Sequence, residues 1–217
     1  MIRRSQIQDM GSQVFGLFRH FSKHQDQARL CLRESLMTKL DTLYGPCLET
    51  ERPISKLELK FQPNSLQQLT KDTAASLQKY FESALFLKIP AVIHRKVVIL
   101  WVMDEPGNIF IAFEELIDGH DGSYLMPYFR ESLVTNRLNH EINGGRIGRL
   151  GHPSLLAGKR AARIGGEIRF RPEDNDSFHW KINRLSGRYG VRSHQTDAHL
   201  AAVHSLFMEM GLHIGTE

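Results

Sequence analysis

The chain has 217 residues, 41% hydrophobic and 24% charged, the composition of an ordinary globular protein long enough to bury a core. Its formal net charge of +4 is unevenly spread: residues 144–192 carry eleven Lys/Arg against four acids, a local excess of +7, and leave 17 bases and 20 acids to the rest. Two cysteines are too few for a disulfide framework, and the longest apolar run, 97–103, is too short for a membrane-spanning helix.

The first residues, Met1 to Arg4, have the charges of a secretory signal, but Gln6, Gln8, Asp9 and Gln13 interrupt any apolar core behind them. A cytoplasmic location, or export without a cleavable signal peptide, is therefore expected. Ile7, Met10, Val14, Leu17, Phe18 and Phe21 recur at helical spacing between Arg3, Arg4, Arg19, His20 and Lys23. This basic amphipathic helix is expected to pack on the rest of the protein rather than lie on an anionic membrane. The pattern resumes with Ala28, Leu32, Leu36, Leu40 and Leu43 and stops at Gly45-Pro46. Cys31 and Cys47 fall in or just after it and are expected to be buried, inert thiols.

Leu57, Leu59 and Phe61 alternate with Lys56, Glu58 and Lys60, which predicts a half-buried strand over 54–61. Asn64 or Ser65 is positioned to cap a helix running to about Phe86. Two β-branched and aromatic runs, 97–103 and 109–113, flank a loop with Pro106 and Gly107, a hairpin by length and chemistry. Because 97–103 has no polar alternation, it is expected at the centre of a sheet. Glu114, Glu115, Asp118, His120 and Asp121 could supply a general acid or base but read better as a solvated rim. A short helix is predicted over 124–138, beginning near Pro127.

A second hairpin follows, with arms 162–170 and 178–184 about a turn at 172–176, and Thr196 or Asp197 then caps a helix ended by Gly211. The fold class is α+β. A helical region over 1–90 is packed with a mostly antiparallel sheet of two hairpins and a C-terminal helix over 91–217.

The Gly-rich stretch 144–160 invites comparison with phosphate loops, but the Walker spacing fails, with Arg160 at the hydroxyl position, and no GxGxxG is present. The densest polar cluster is 183–190. There Asn183, Arg184, Ser186, Arg188 and Tyr189 could be aimed by one turn at a single ligand, the guanidinium groups gripping a phosphate or carboxylate bidentately and the phenol stacking on a base. As a plain turn, the same residues would bond their own backbone. The eleven histidines show no metal-ligand spacing, and the identity of any cofactor is left open, an NAD-using enzyme included.

His152-Pro153-Ser154, Gly165-Gly166-Glu167, Trp180-Lys181-Ile182-Asn183 and Ser186-Gly187-Arg188-Tyr189, followed by a helix, resemble a hairpin-plus-helix module at the ends of large secreted bacterial toxins and effectors. The likeness covers residues 152–210, and such modules carry His where this chain has Arg188. It implies a bacterial effector or conflict setting and draws attention to His152, Glu167, Asn183, Ser186 and Tyr189. Two functions are thus expected. One is an effector or toxin-like protein whose basic module binds a phosphate-bearing nucleotide or nucleic acid, with His152 and Glu167 as catalytic candidates and group transfer open to it. The other is a non-catalytic immunity or adaptor protein that covers an acidic protein partner.

Overall fold

The computed structural model describes residues 29–86, 92–129, 142, 145–172 and 177–217. The chain forms two compact units, Met1–Leu40 and Asp41–Glu217. In the first, residues 29–40 are helical; the stripe of Ile7 to Phe21 lies outside the described residues. Cys31, expected to be buried, is exposed, because every residue from 29 to 36 on this helix is exposed.

The second unit is α+β and is built on a six-stranded sheet. In chain order its elements are β1 (Leu48–Glu49), α1 (Lys56–Lys60), β2 (Gln67–Gln68), α2 (Lys71–Phe86), β3 (Ile99–Met103), β4 (Ile109–Phe113), β5 (Glu115–Asp118), β6 (Tyr124–Pro127) and β7 (Ile147–Leu150). A 3₁₀ turn (His152–Leu156) follows, then β8 (Ala161–Ala162), β9 (Ile164–Phe170), β10 (Trp180–Asn183), α3 (Asp197–Glu209) and β11 (Gly215–Thr216). The large sheet has the order β11-β10-β9-β3-β4-β2; β6-β5-β7 and β1-β8 form smaller sheets, and among the described residues only β10 and β11 pair in parallel.

Both hairpins form as expected: β3 pairs β4 across Asp104–Asn108, and β9 pairs β10. β3 is interior, and all five of its residues are buried. Strand alternation gives the sheet two faces of different character. On one, Trp180, Phe170, Ile182, Ile168, Ile99 and Trp101 share register and are roofed by two helices. The Phe81 ring of α2 stacks on Trp180 at 4.5 Å, and Phe207 of α3 meets Trp101 edge-on at 6.1 Å. On the other, Leu100, Val102 and Ala112 pack against Leu155, Leu156, Ala162 and Tyr189. Glu167 faces this second side, opposite Leu100 and Asn183 in register.

Three expectations are corrected. Residues 56–60 are helical rather than extended, because Ser55 and Glu58 form a reciprocal capping box that supplies the first turn with its missing hydrogen bonds. Asn64 and Ser65 cap no helix: their N–H groups donate to the Glu115 carboxylate at 2.8 and 3.0 Å, and Ser65 Oγ donates to it as well. The helix starts six residues later, where Thr70 and Thr73 exchange side-chain caps. Residues 124–127 pair with β5 as a strand, and 130–138 of the predicted helix lie outside the described residues. Residues 41–86 fall within the sheet unit, and β2 from this segment lies at the edge of the large sheet.

His94 is buried beside Tyr80, Phe170 and Trp180 and shares a 2.6 Å hydrogen bond between its Nδ1 and the Tyr80 hydroxyl. Its Nε2 has no hydrogen-bond partner among the described residues. Burial lowers the His94 pKa, so the folded state favours the neutral ring while the unfolded chain takes up a proton below about pH 6.5. The stability His94 contributes is therefore present above that pH and lost as pH falls toward the folded pKa. Urea unfolding is expected to show lower stability at about pH 5.5 than at about pH 7.5, and His94→Gln to narrow that difference.

Candidate functional site

The 3₁₀ turn, the 183–190 loop and α1 converge at the polar end of the second sheet face and enclose a cavity of about 310 Å³. Its walls include Glu58 of α1, Glu114 between β4 and β5, Arg149 of β7, His152, Glu167 of β9 and Arg188. The volume is at the lower end of small-ligand sites. All three glutamates are buried, at 4, 3 and 2% exposure. Each is matched by an arginine.

Glu58 is held most completely. Its Oε1 accepts from Gly151 N and Arg188 Nη1, both at 3.3 Å, and its Oε2 from Ser55 N and Arg188 Nη2, both at 3.1 Å. Glu114 Oε1 accepts from Arg149 Nε and Nη2 at 2.8 and 2.6 Å, and the Arg149 guanidinium lies 4.1 Å over the Tyr128 ring. Glu167 pairs with Arg169, two residues along the same strand. His152 Nε2 donates to Gly166 O at 2.8 Å; since a carbonyl only accepts, Nε2 carries a proton. Gly166 also permits the close approach of the end of β10, since a Cβ there would overlap the Asn183 carbonyl.

Of the residues the sequence singled out, His152, Glu167 and Arg188 line this cavity. The two guanidinium groups of the 183–190 cluster do not converge. Arg184 pairs with Asp197 at the start of α3 and donates to Gly190 O, whereas Arg188 goes to Glu58 and Pro53 O. Ser186 is fully buried, and its Oγ accepts from Tyr189 N. Tyr189 lies in the core with its hydroxyl on Arg160 O, and burial pushes its pKa up to about 12. Its phenol is thus a fixed donor, with no exposed ring face for base stacking. Asn183 accepts from Glu167 N and Leu185 N and donates to Glu217.

Glu58, Glu114 and Arg149 are the site residues the sequence reading did not assign. The Ser55-x-x-Glu58 spacing was the available signal for Glu58, as a capping box. Glu114 and Glu115, expected on a solvated rim, are both buried, Glu114 on Arg149 and Glu115 on the backbone of 64–65. Nothing local marked Arg149, since its partner lies 35 residues away.

The basic window is largely neutralised by acids elsewhere in the chain. Arg149, Arg160, Arg163, Arg169, Arg171, Arg184 and Arg188 pair with Glu114, Glu49, Asp41, Glu167, Glu217, Asp197 and Glu58. Arg192 donates to three backbone carbonyls. Among the described residues no group of three His, Cys, Asp or Glu could hold a metal ion, and no helix is long and apolar enough to cross a membrane.

Comparison of the chain with protein-family models, with curated proteins and with solved structures finds no match in any of the three.

Glu58→Gln leaves the partly buried Arg188 without its counter-charge and weakens the anchor of Gly151. The variant is expected to lose about 3 kcal/mol of stability, read from the urea midpoint at constant slope.

Proposed function

We propose that this chain is an effector or toxin-like protein whose cavity takes a small, hydroxyl-bearing phosphate ester, a nucleotide being the best fit. The supporting observation is the composition of the cavity: buried carboxylates, a histidine and two arginines line one space of about 310 Å³. Arg149 is the phosphate contact in this reading. Its side chain is 40% exposed, and Nε and Nη2 go to Glu114 while Nη1 has no partner among the described residues. An anion reaching Nη1 would therefore add to the Glu114 pair rather than displace it.

Carboxylates repel phosphate but accept hydrogen bonds from sugar hydroxyls, so a ligand with a phosphate at one end and hydroxyl groups at the other suits the walls better than inorganic phosphate. His152 and Glu167 are the groups for proton transfer to or from such a hydroxyl, which makes group transfer the matching reaction class. The effector setting rests on the resemblance of residues 152–210 to the toxin-terminal module.

Nucleic-acid binding gains less support, because that mode needs many unpaired cations along a surface. The same applies to an immunity or adaptor role: the charges that would meet an acidic partner already meet acids of this chain.

Calorimetric titration of the full chain with ADP, ribose 5-phosphate and inorganic phosphate tests the reading. ADP is expected to bind most tightly, with a log–log salt slope no steeper than about −2. Arg149→Ala is expected to weaken ADP about tenfold or more, the equivalent of one charge-assisted hydrogen bond. In a bacterial host, expression of the chain is expected to slow growth, and Arg149→Ala or His152→Ala to relieve it. Equal or absent binding of all three probes overturns the proposal.

A further inference from the structure

Behind the Glu167 wall of the cavity runs a second layer of polar contacts, continuous from β9 to the strand after α3. Asn183, at the end of β10, is 2% exposed. Its Oδ1 accepts from Glu167 N at 3.2 Å and from Leu185 N at 2.9 Å, and its Nδ2 donates to Glu217 Oε2 at 2.8 Å. The other oxygen of Glu217 accepts from Arg171 Nε and Nη2 at 3.1 and 2.8 Å, and Glu217 N donates to Ile182 O. Glu167 and Leu185 both line the cavity; Asn183 and Glu217 do not.

We propose that Glu217 is a positioning residue of the cavity: its carboxylate fixes the orientation of the Asn183 amide, which in turn fixes the backbone of Glu167 and Leu185. The chemistry admits a single orientation. Two N–H groups require the amide oxygen on one side, and a carboxylate requires the amide nitrogen on the other. Without the carboxylate, the buried Asn183 Nδ2 loses its acceptor, the amide is no longer held against rotation, and both wall residues lose a fixed anchor. Burial raises the Glu217 pKa, but the Asn183 and Arg171 hydrogen bonds and the nearby arginines outweigh it and hold the carboxyl below its ordinary value. The group is thus ionised at neutral pH.

That these anchors matter for a ligand rests on the nucleotide reading above; the anchors themselves do not. Amide hydrogen exchange on the full chain reads them with no ligand present. Glu217→Ala is expected to speed exchange at Glu167 and Leu185 about tenfold, while Leu100 and Val102 keep their protection. Glu217→Gln, which retains an acceptor for Asn183 Nδ2, is expected to restore protection at both positions. Unchanged exchange in Glu217→Ala overturns the proposal, as does loss spread evenly over β3 and β9 in both variants. In titrations with ADP, Glu217→Ala is expected to bind about tenfold more weakly than the unaltered chain, and Glu217→Gln close to it. If the unaltered chain binds ADP and Glu217→Ala binds equally well, the positioning role fails. Should the unaltered chain not bind ADP, the nucleotide reading fails, and the exchange measurement alone decides on Glu217.

Discussion

The Glu58–Arg188 pair is the constraint on which the polar end of the sheet unit depends. A helix of five residues has little stability of its own, since nucleation costs more than so few hydrogen bonds return. α1 persists because Glu58 both closes its capping box and anchors outward, to Gly151 across 93 residues and to Arg188 across 130. One carboxylate thereby joins α1, the 3₁₀ turn that carries His152 and the 183–190 loop. Arg188 extends the joint by donating to Pro53 O. Burying one of these charges alone would cost several kcal/mol in desolvation, so the pair forms together or not at all, and the cavity walls assemble with it.

The same principle explains why charge is segregated along the sequence but not in space. An excess of +7 in residues 144–192 looks like a positive face when the window is considered alone. Six of the seven paired arginines in it find acids outside it: Asp41, Glu49, Glu58, Glu114, Asp197 and Glu217. Oppositely charged segments far apart in the chain attract over a Debye length as it collapses, and long-range pairs then fix the loops against the sheet. Arg163 is the extreme case, with no exposed surface, donating to Asp41 and to the backbone of 45 and 105. Linear charge arithmetic identified which residues matter electrostatically and misjudged what they meet.

The fold was legible where the determining forces are local. Strand β3, both hairpins and α3 follow from apolar runs, turn chemistry and the Thr196 cap, each of which acts within a few residues. α1 and the start of α2 were misread where a side chain competes for the backbone: the Ser55–Glu58 box against an alternating pattern, and the Glu115 carboxylate against a cap at residues 64–65. Half of the site was legible in the same sense. His152, Glu167 and Arg188 were singled out as polar residues of one stretch, but Glu58, Glu114 and Arg149 come together only through pairings between distant segments, which no window of sequence contains.

The two faces of the sheet divide the work of the molecule. The face roofed by α2 and α3 is largely aromatic, and the ring contacts of Phe81 with Trp180 and of Phe207 with Trp101 give it a stability that rests mainly on apolar area. That leaves the opposite face free to carry buried Glu167, Asn183 and Lys181, groups that would be costly in a structure relying on them for its core. With the carboxylates of the cavity already matched by guanidinium groups, the desolvation of those charges is met during folding. On the nucleotide reading proposed above, a ligand entering the cavity would add to the Arg149–Glu114 pair without displacing it. On the same reading, selectivity would come from the fit of hydrogen-bond directions more than from net charge, since three glutamates and two arginines line the cavity. Small displacements of Glu167 or His152 would therefore alter recognition more than the loss of a distant surface charge would.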